Sequence, residues 1–113
     1  MLPLLIEGVY YGFTGIWPIV SIDSFMKVTG PKTDLWLVKT VGVLVLASGA
    51  AMIVAYTRHN TSPDILLLAL GEAFFLLLID VIYTIKKIIR PIYLADAIIQ
   101  IGFVIWIVAY QLS

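Results

Sequence analysis

The chain has 113 residues and no net charge, with 62% hydrophobic and only 12% charged residues. Soluble domains are about half apolar and about a quarter charged, so this composition, with a mean hydropathy of +1.08, predicts an integral membrane protein. Neutral charge argues against nucleic-acid binding, which needs a basic face. The absence of cysteine and the single histidine exclude disulfides and thiolate chemistry and predict neither a metal nor another cofactor.

Four apolar runs, each close to the roughly 20 residues that cross a bilayer as a helix, predict four membrane-spanning helices. They lie at about residues 2–22, 35–57, 64–85 and 91–112. The connections between them are short, which favours antiparallel neighbours. The predicted fold is therefore all-α, a transmembrane antiparallel four-helix bundle that forms one domain over residues 1–113.

The first predicted helix carries a carboxylate and a stripe of small residues. Glu7 lies inside the apolar run, and Tyr11 follows it by one helical turn. Gly8, Gly12 and Gly15 form the stripe, and small residues allow two helix backbones to approach closely in lipid. The stripe predicts packing against another helix of the same bundle, or alternatively a homodimer.

The second predicted helix carries one lysine and a second small stripe. Lys39 lies one turn inside the helix, where its ammonium can reach the lipid headgroups or pair with an interior carboxylate. Ala47, Ala51 and Ala55 recur at helical spacing, which predicts a packing face.

The third and fourth predicted helices carry polar residues at membrane depth. Glu72 and Asp80 lie in the third helix, about 12 Å apart along its axis, which is too far to share a proton directly. Tyr83 lies one turn after Asp80, and Asp96 and Gln100 lie one turn apart on a single face of the fourth helix. Ionisable groups are costly in lipid, so these side chains are expected to face the bundle interior.

The distribution of basic residues predicts the orientation in the membrane, because cytoplasmic loops carry an excess of lysine and arginine. One side of the predicted bundle carries only Arg58 besides the amino terminus. The other side holds the connections 23–34 and 86–90, which are therefore predicted to be cytoplasmic, with both termini outside. Their basic residues are Lys27, Lys32, Lys86, Lys87 and Arg90.

This topology predicts two polar clusters within the bundle, with Gln100 near the middle. Interhelical hydrogen bonds that hold the packing register are one account of them. The other account is a site that binds protons or a small or lipid-like molecule. No catalytic motif is present to support an enzyme. The predicted inner cluster is Lys39, Asp80 and Asp96 with Tyr83, and the outer cluster is Glu7 and Glu72 with Tyr11.

Two stretches, SFMKVTGPKTDLWLVKTVGVLVLASG and LIDVIYTIKKIIRPIYLADA, resemble a group of short bacterial four-helix integral membrane proteins. The shared elements are a VTGPKTD-type loop at residues 28–34, a D-x-x-Y element at Asp80 and Tyr83, and a YLxDA-type element at residues 93–97. The resemblance implies a four-helix fold in the bacterial inner membrane and implies no activity. The layout is more distantly similar to DoxX-like proteins, which implies architecture only.

The chain length and Glu7 are similar to those of the small multidrug resistance transporters. In that family a membrane-embedded glutamate of the first helix alternately binds protons and cationic drug. This resemblance implies a proton-coupled homodimeric transporter in which Glu7 is the binding residue. A third hypothesis is an accessory subunit of a larger membrane complex, with interior charges that pair with a partner.

Overall fold

A computed structural model describes residues 1–112. Ser113 lies outside the described residues, and so does the prediction for the position of the carboxyl terminus. The described part is all-helical, as predicted. Three helices are long and apolar enough to cross a membrane, and a fourth span results if the first two helices are counted as one bent span. The five helices are α1 (Leu2–Val20), α2 (Ile22–Thr29), α3 (Leu35–Thr57), α4 (Pro63–Ile85) and α5 (Tyr93–Leu112).

The first predicted helix is wrong at its end, because the chain breaks at Ser21 and turns through 114° into α2. Ser21 has φ −146° and ψ 80°, outside the helical region. Pro18 removes one backbone donor from the last turn of α1. The indole Nε1 of Trp17 then donates a hydrogen bond to Ser24 Oγ across the bend, at 2.8 Å. These contacts make α2 a separate short helix within the region predicted as a connection.

The later helices lie close to their predicted positions, and the largest difference is at the start of α5. Pro91 was predicted to open this helix, but the helix begins at Tyr93. The preceding residues form tight turns, in which the N–H of Tyr93 bonds the carbonyl of Arg90 at 3.1 Å and Leu94 bonds Pro91 at 2.9 Å. These bonds span three residues, so the chain is more tightly wound there than in an α-helix.

Two closely packed helix pairs build the molecule, α1 with α3 and α4 with α5. In the first pair Gly8 lies against Gly49 and Gly15 lies against Gly42, so the two helices run antiparallel. A β-carbon on Gly15 would lie 2.5 Å from the carbonyl oxygen of Gly42, so the backbones touch directly. The predicted packing of the glycine stripe within one chain is confirmed at Gly8 and Gly15. Gly12, in contrast, has open space where a β-carbon would be.

The alanine stripe predicted on α3 is wrong as a packing face at Ala47 and Ala51 and is confirmed at Ala55. Ala47 and Ala51 are exposed, and the buried small residues of this helix are Gly42, Gly49 and Ala55. Glycine allows a closer backbone approach than alanine, and the two glycines of α3 are spaced like Gly8 and Gly15 of α1, seven residues apart. The glycine face therefore decides which side of α3 turns inward.

One end of the molecule is closed by a hydrophobic core to which α1, α3, α4 and α5 all contribute. The outer surface is largely apolar, as expected for helices that face lipid on one side. The molecule measures 42 × 28 × 17 Å, and its long dimension matches a bilayer with headgroups, about 40–45 Å thick. The buried members of the core are Leu4, Tyr11, Met52, Ala55, Leu66, Ala69 and Ile107.

The two basic connections meet at the opposite end of the molecule. Arg90 Nη1 donates a hydrogen bond to the carbonyl of Lys27 at 3.5 Å. The same side chain packs over Gly30, whose φ of +105° is unfavourable for other residues. Lys32 Nζ lies 5.4 Å from the ring centroid of Tyr93. These contacts join α2 and the connection after it to the connection between α4 and α5. The basic side chains therefore lie together at one end of the molecule.

Candidate functional site

A cavity of about 500 Å³ lies between the two helix pairs, on the side of the core that faces the basic end. This volume is within the range of small-molecule sites, about 300–1,000 Å³. Apolar side chains from all five helices line most of the wall, and polar side chains are concentrated at its two ends. Representative apolar lining residues are Pro18, Val28, Val41, Val45, Leu76 and Ile99.

Four polar side chains form a hydrogen-bonded network at one end of the cavity, which we call the deep end. The Tyr10 hydroxyl donates to Asp96 Oδ1. Gln100 Nε2 donates to both carboxyl oxygens of Asp96, at 3.3 and 3.4 Å. The Tyr11 hydroxyl donates to Gln100 Oε1 at 2.8 Å. The network links α1 to α5 and lines the cavity.

Asp80, on α4, completes the deep end, so that α1, α4 and α5 all contribute to it. Its side chain is only 4% exposed, it lines the cavity, and it lies within hydrogen-bonding reach of Asp96. Its Oδ2 has no hydrogen-bond partner. The structure therefore brings together Asp80, Asp96, Gln100 and Tyr11, four of the residues singled out from the sequence.

Tyr10 and Thr14 belong to the same end of the cavity and were missed by the sequence analysis. The Tyr10 ring packs 5.7 Å from that of Phe103, which fixes the ring beside Asp96. The Thr14 hydroxyl donates to the Tyr10 carbonyl at 3.0 Å. Glu7, Tyr11 and Thr14 recur at the spacing of one helix face, so periodicity contained the signal for Thr14. Tyr10 lies one residue before Tyr11 and therefore off this helix face, so the periodicity did not indicate it.

The other end of the cavity, which we call the mouth, is basic and aromatic. Lys32 Nζ donates to the carbonyls of Thr29 and Gly30, at 3.4 and 3.3 Å. The same nitrogen lies 5.7 Å from the ring centroid of Phe25 and 5.4 Å from that of Tyr93. The cavity thus has carboxyl groups at the deep end and a cation at the mouth.

Two members of the predicted outer cluster, Glu7 and Glu72, lie beside the cavity, whereas Tyr11 belongs to the deep end. Glu7 is fully buried near the Tyr11 side chain, and neither of its carboxyl oxygens makes a hydrogen bond of normal geometry. Glu72 accepts a hydrogen bond from Ser48 Oγ at 2.7 Å, while its Oε2 has no partner. Within the described residues Glu7 does not line the cavity, and Glu72 lines a separate, shallower groove between α3 and α4. The cavity and the groove share a wall of Val45, Leu76 and Ile79.

Two of the four members of the predicted inner cluster, Lys39 and Tyr83, lie away from the cavity. Lys39 is exposed on α3, one residue after the cavity-lining Val38, so it points about 100° away from the cavity around the helix. Tyr83 lies toward the basic end of α4, where Lys86 Nζ is 5.8 Å from its ring centroid. Neither Lys39 nor Tyr83 is among the described residues that line the cavity.

Comparison of the chain with protein-family models, with curated proteins and with solved structures finds no match. The features of the molecule that bear on its function are therefore the cavity, the carboxyl groups at its deep end and the cationic mouth. These features come from all five helices of a single chain.

Proposed function

We propose that this protein binds a small, mostly apolar molecule in its membrane-embedded cavity, with the polar end of that molecule at the deep end. The observation that carries the proposal is the cavity itself, an apolar volume of about 500 Å³ on which a few polar side chains converge. Small-molecule sites in proteins are usually apolar cavities of this size with a few convergent polar groups. Asp80 and Asp96 provide the polar contacts, and Tyr10, Tyr11 and Gln100 position them.

The proposed topology has four spans that form an antiparallel bundle in a bacterial inner membrane, with α1 and α2 as one broken span. The connections 23–34 and 86–90 face the cytoplasm, and both termini face outward. Support comes from the basic side chains at one end and from the positive-inside rule. The bend at Ser21 would place α2 along the membrane interface, beside the mouth.

Cysteine labelling tests this topology, since the natural chain contains no cysteine. In intact cells a membrane-impermeant maleimide is expected to label Arg58→Cys. Lys87→Cys is expected to react only after the membrane is permeabilised. The opposite pattern would contradict the proposed orientation.

The binding proposal predicts that a bulky side chain inside the cavity prevents binding. Thr14 lines the cavity, whereas Val9 on the same helix is exposed on the outer surface. We expect the unaltered protein and Val9→Trp to retain a non-covalent adduct in native mass spectrometry from lipid nanodiscs. Thr14→Trp should lose this adduct while its thermal unfolding stays cooperative. An adduct that persists in Thr14→Trp would place the bound molecule elsewhere.

Two observations favour this function over the alternatives raised by the sequence. A homodimeric transporter would use Glu7 and the glycine stripe, but Gly8 and Gly15 contact α3 and Glu7 is buried away from the cavity. An accessory subunit would need a partner chain that reaches its interior carboxyl groups. Here Asp96 receives hydrogen bonds from Tyr10 and Gln100 of the same chain, and the unpaired Glu7 is fully buried, out of reach of another chain.

A further inference from the structure

Most hydrogen-bond donors at the deep end of the cavity are already engaged within the protein, and one N–H of Gln100 remains. The hydroxyls of Tyr10 and Tyr11 donate to Asp96 and Gln100. The amide nitrogen of Gln100 donates to Asp96, and Thr14 donates to the backbone. A ligand that reaches this end therefore meets side chains most of whose donor hydrogens face other protein atoms.

The acceptors at the same end have capacity left. A carboxylate accepts about four hydrogen bonds, and the side-chain hydrogen bonds described for Asp96 come from Tyr10 and Gln100, with the Asp80 carboxyl group beside it. Asp80 lines the cavity, and its Oδ2, a buried atom, has no hydrogen-bond partner, so a ligand reaches this oxygen when the Asp80 side chain turns toward the cavity. An unpaired acceptor in a buried place is costly, so a ligand that donates hydrogen bonds here removes that cost. A ligand with a carbonyl or a carboxylate at its polar end finds fewer partners there, with one N–H of Gln100 as the donor that remains.

The charges at the two ends of the cavity give a ligand a direction. The deep end carries the acidic side chains Asp80 and Asp96, whereas the cationic side chain of Lys32 lies at the mouth, near the Phe25 and Tyr93 rings. A cationic group is therefore attracted to the deep end and repelled from the mouth. An anionic group has the opposite preference, which would leave the unpaired acceptors of the deep end unsatisfied.

We infer that the ligand is an amphipathic amine, whose protonated nitrogen donates hydrogen bonds to Asp80 and Asp96 while its apolar body fills the cavity toward α2. This inference rests on the proposed binding function and adds the chemistry of the polar end. A neutral alcohol can donate a hydrogen bond to the same carboxyl oxygens but has no positive charge, so we expect its affinity to be second to that of the amine. A carboxylate with the same apolar body ranks last.

Three probes with one alkyl chain separate these classes: dodecylamine, 1-dodecanol and dodecanoate. Trp17 lines the cavity and is a suitable fluorescence reporter once the exposed Trp36 and Trp106 are replaced by phenylalanine. The full chain, in nanodiscs of neutral phosphatidylcholine, is titrated with each probe. Asp80→Asn tests the acceptor in the cavity. Glu72→Gln is the matched control, since it makes the same change on the same helix, at a carboxyl outside the cavity.

We expect dodecylamine to bind at least about tenfold more tightly than dodecanoate, the difference that one hydrogen bond to a charged group supplies. Asp80→Asn should remove most of this preference, and Glu72→Gln should keep it. Equal affinity for the amine and the carboxylate in the unaltered chain would overturn the inference but leave the binding function intact. Failure of all three probes to bind in the cavity would overturn the binding function itself. The comparison of probes on the unaltered chain decides the inference even if Asp80→Asn fails to insert.

Discussion

Gly15→Ala is expected to lower the stability of the protein although alanine is the better helix former. The added β-carbon would lie 2.5 Å from the Gly42 carbonyl oxygen and 2.6 Å from the Leu46 nitrogen. Both are backbone atoms, so α1 and α3 must separate along their contact. Overpacking of this kind costs about 1–3 kcal/mol, and we expect a clearly lower midpoint of thermal unfolding in detergent.

Gly12→Ala is the matched control for this substitution. Gly12 lies on the same helix, but a β-carbon there meets no atom within 4 Å. Alanine should therefore keep its usual helix advantage over glycine, up to about 1 kcal/mol, and leave the unfolding midpoint unchanged or higher. Equal destabilisation by both substitutions would contradict the direct backbone contact between α1 and α3.

Glu7→Met is expected to stabilise the protein, although it replaces a residue in the centre of the fold. Glu7 is fully buried and neither carboxyl oxygen makes a hydrogen bond of normal geometry. An unsatisfied buried polar group costs about 1–3 kcal/mol, and methionine fills a similar volume with apolar atoms. The unfolding midpoint in detergent should therefore rise.

Glu72→Met provides the comparison for Glu7, because Glu72 is half-buried and accepts a hydrogen bond from Ser48. Its removal leaves the Ser48 hydroxyl without this acceptor, so the gain should be smaller or absent. A lower midpoint for Glu7→Met than for Glu72→Met would mean that Glu7 has a partner that stabilises the fold.

Much of the fold could be predicted from the sequence, because lipid demands long apolar helices whatever their tertiary contacts. The positions of α3 and α4 followed from run length alone. The break at Ser21 did not, since it depends on how Trp17 and Ser24 meet across the bend. The packing face of α3 was misassigned to Ala47 and Ala51 because small size alone does not distinguish the glycine face from its neighbours.

The deep end of the cavity was predictable in part for a similar reason. Buried carboxyl groups in membrane spans face the interior, which placed Asp80 and Asp96 together. Lys39 is one residue away from a cavity-lining position, and a shift of one residue turns a side chain about 100° around a helix. Tyr10 reaches Asp96 from a different helix, and this pairing depends on how α1 and α5 are set against each other.

The most direct test of the central claim is an experimental density map of the protein purified from its membrane in native lipid. The account predicts elongated non-protein density in the cavity, ending beside Asp80 and Asp96 and extending toward Phe25 at the mouth. A map in which the two helix pairs close together and side chains fill this volume would contradict the claim that the cavity is a binding site.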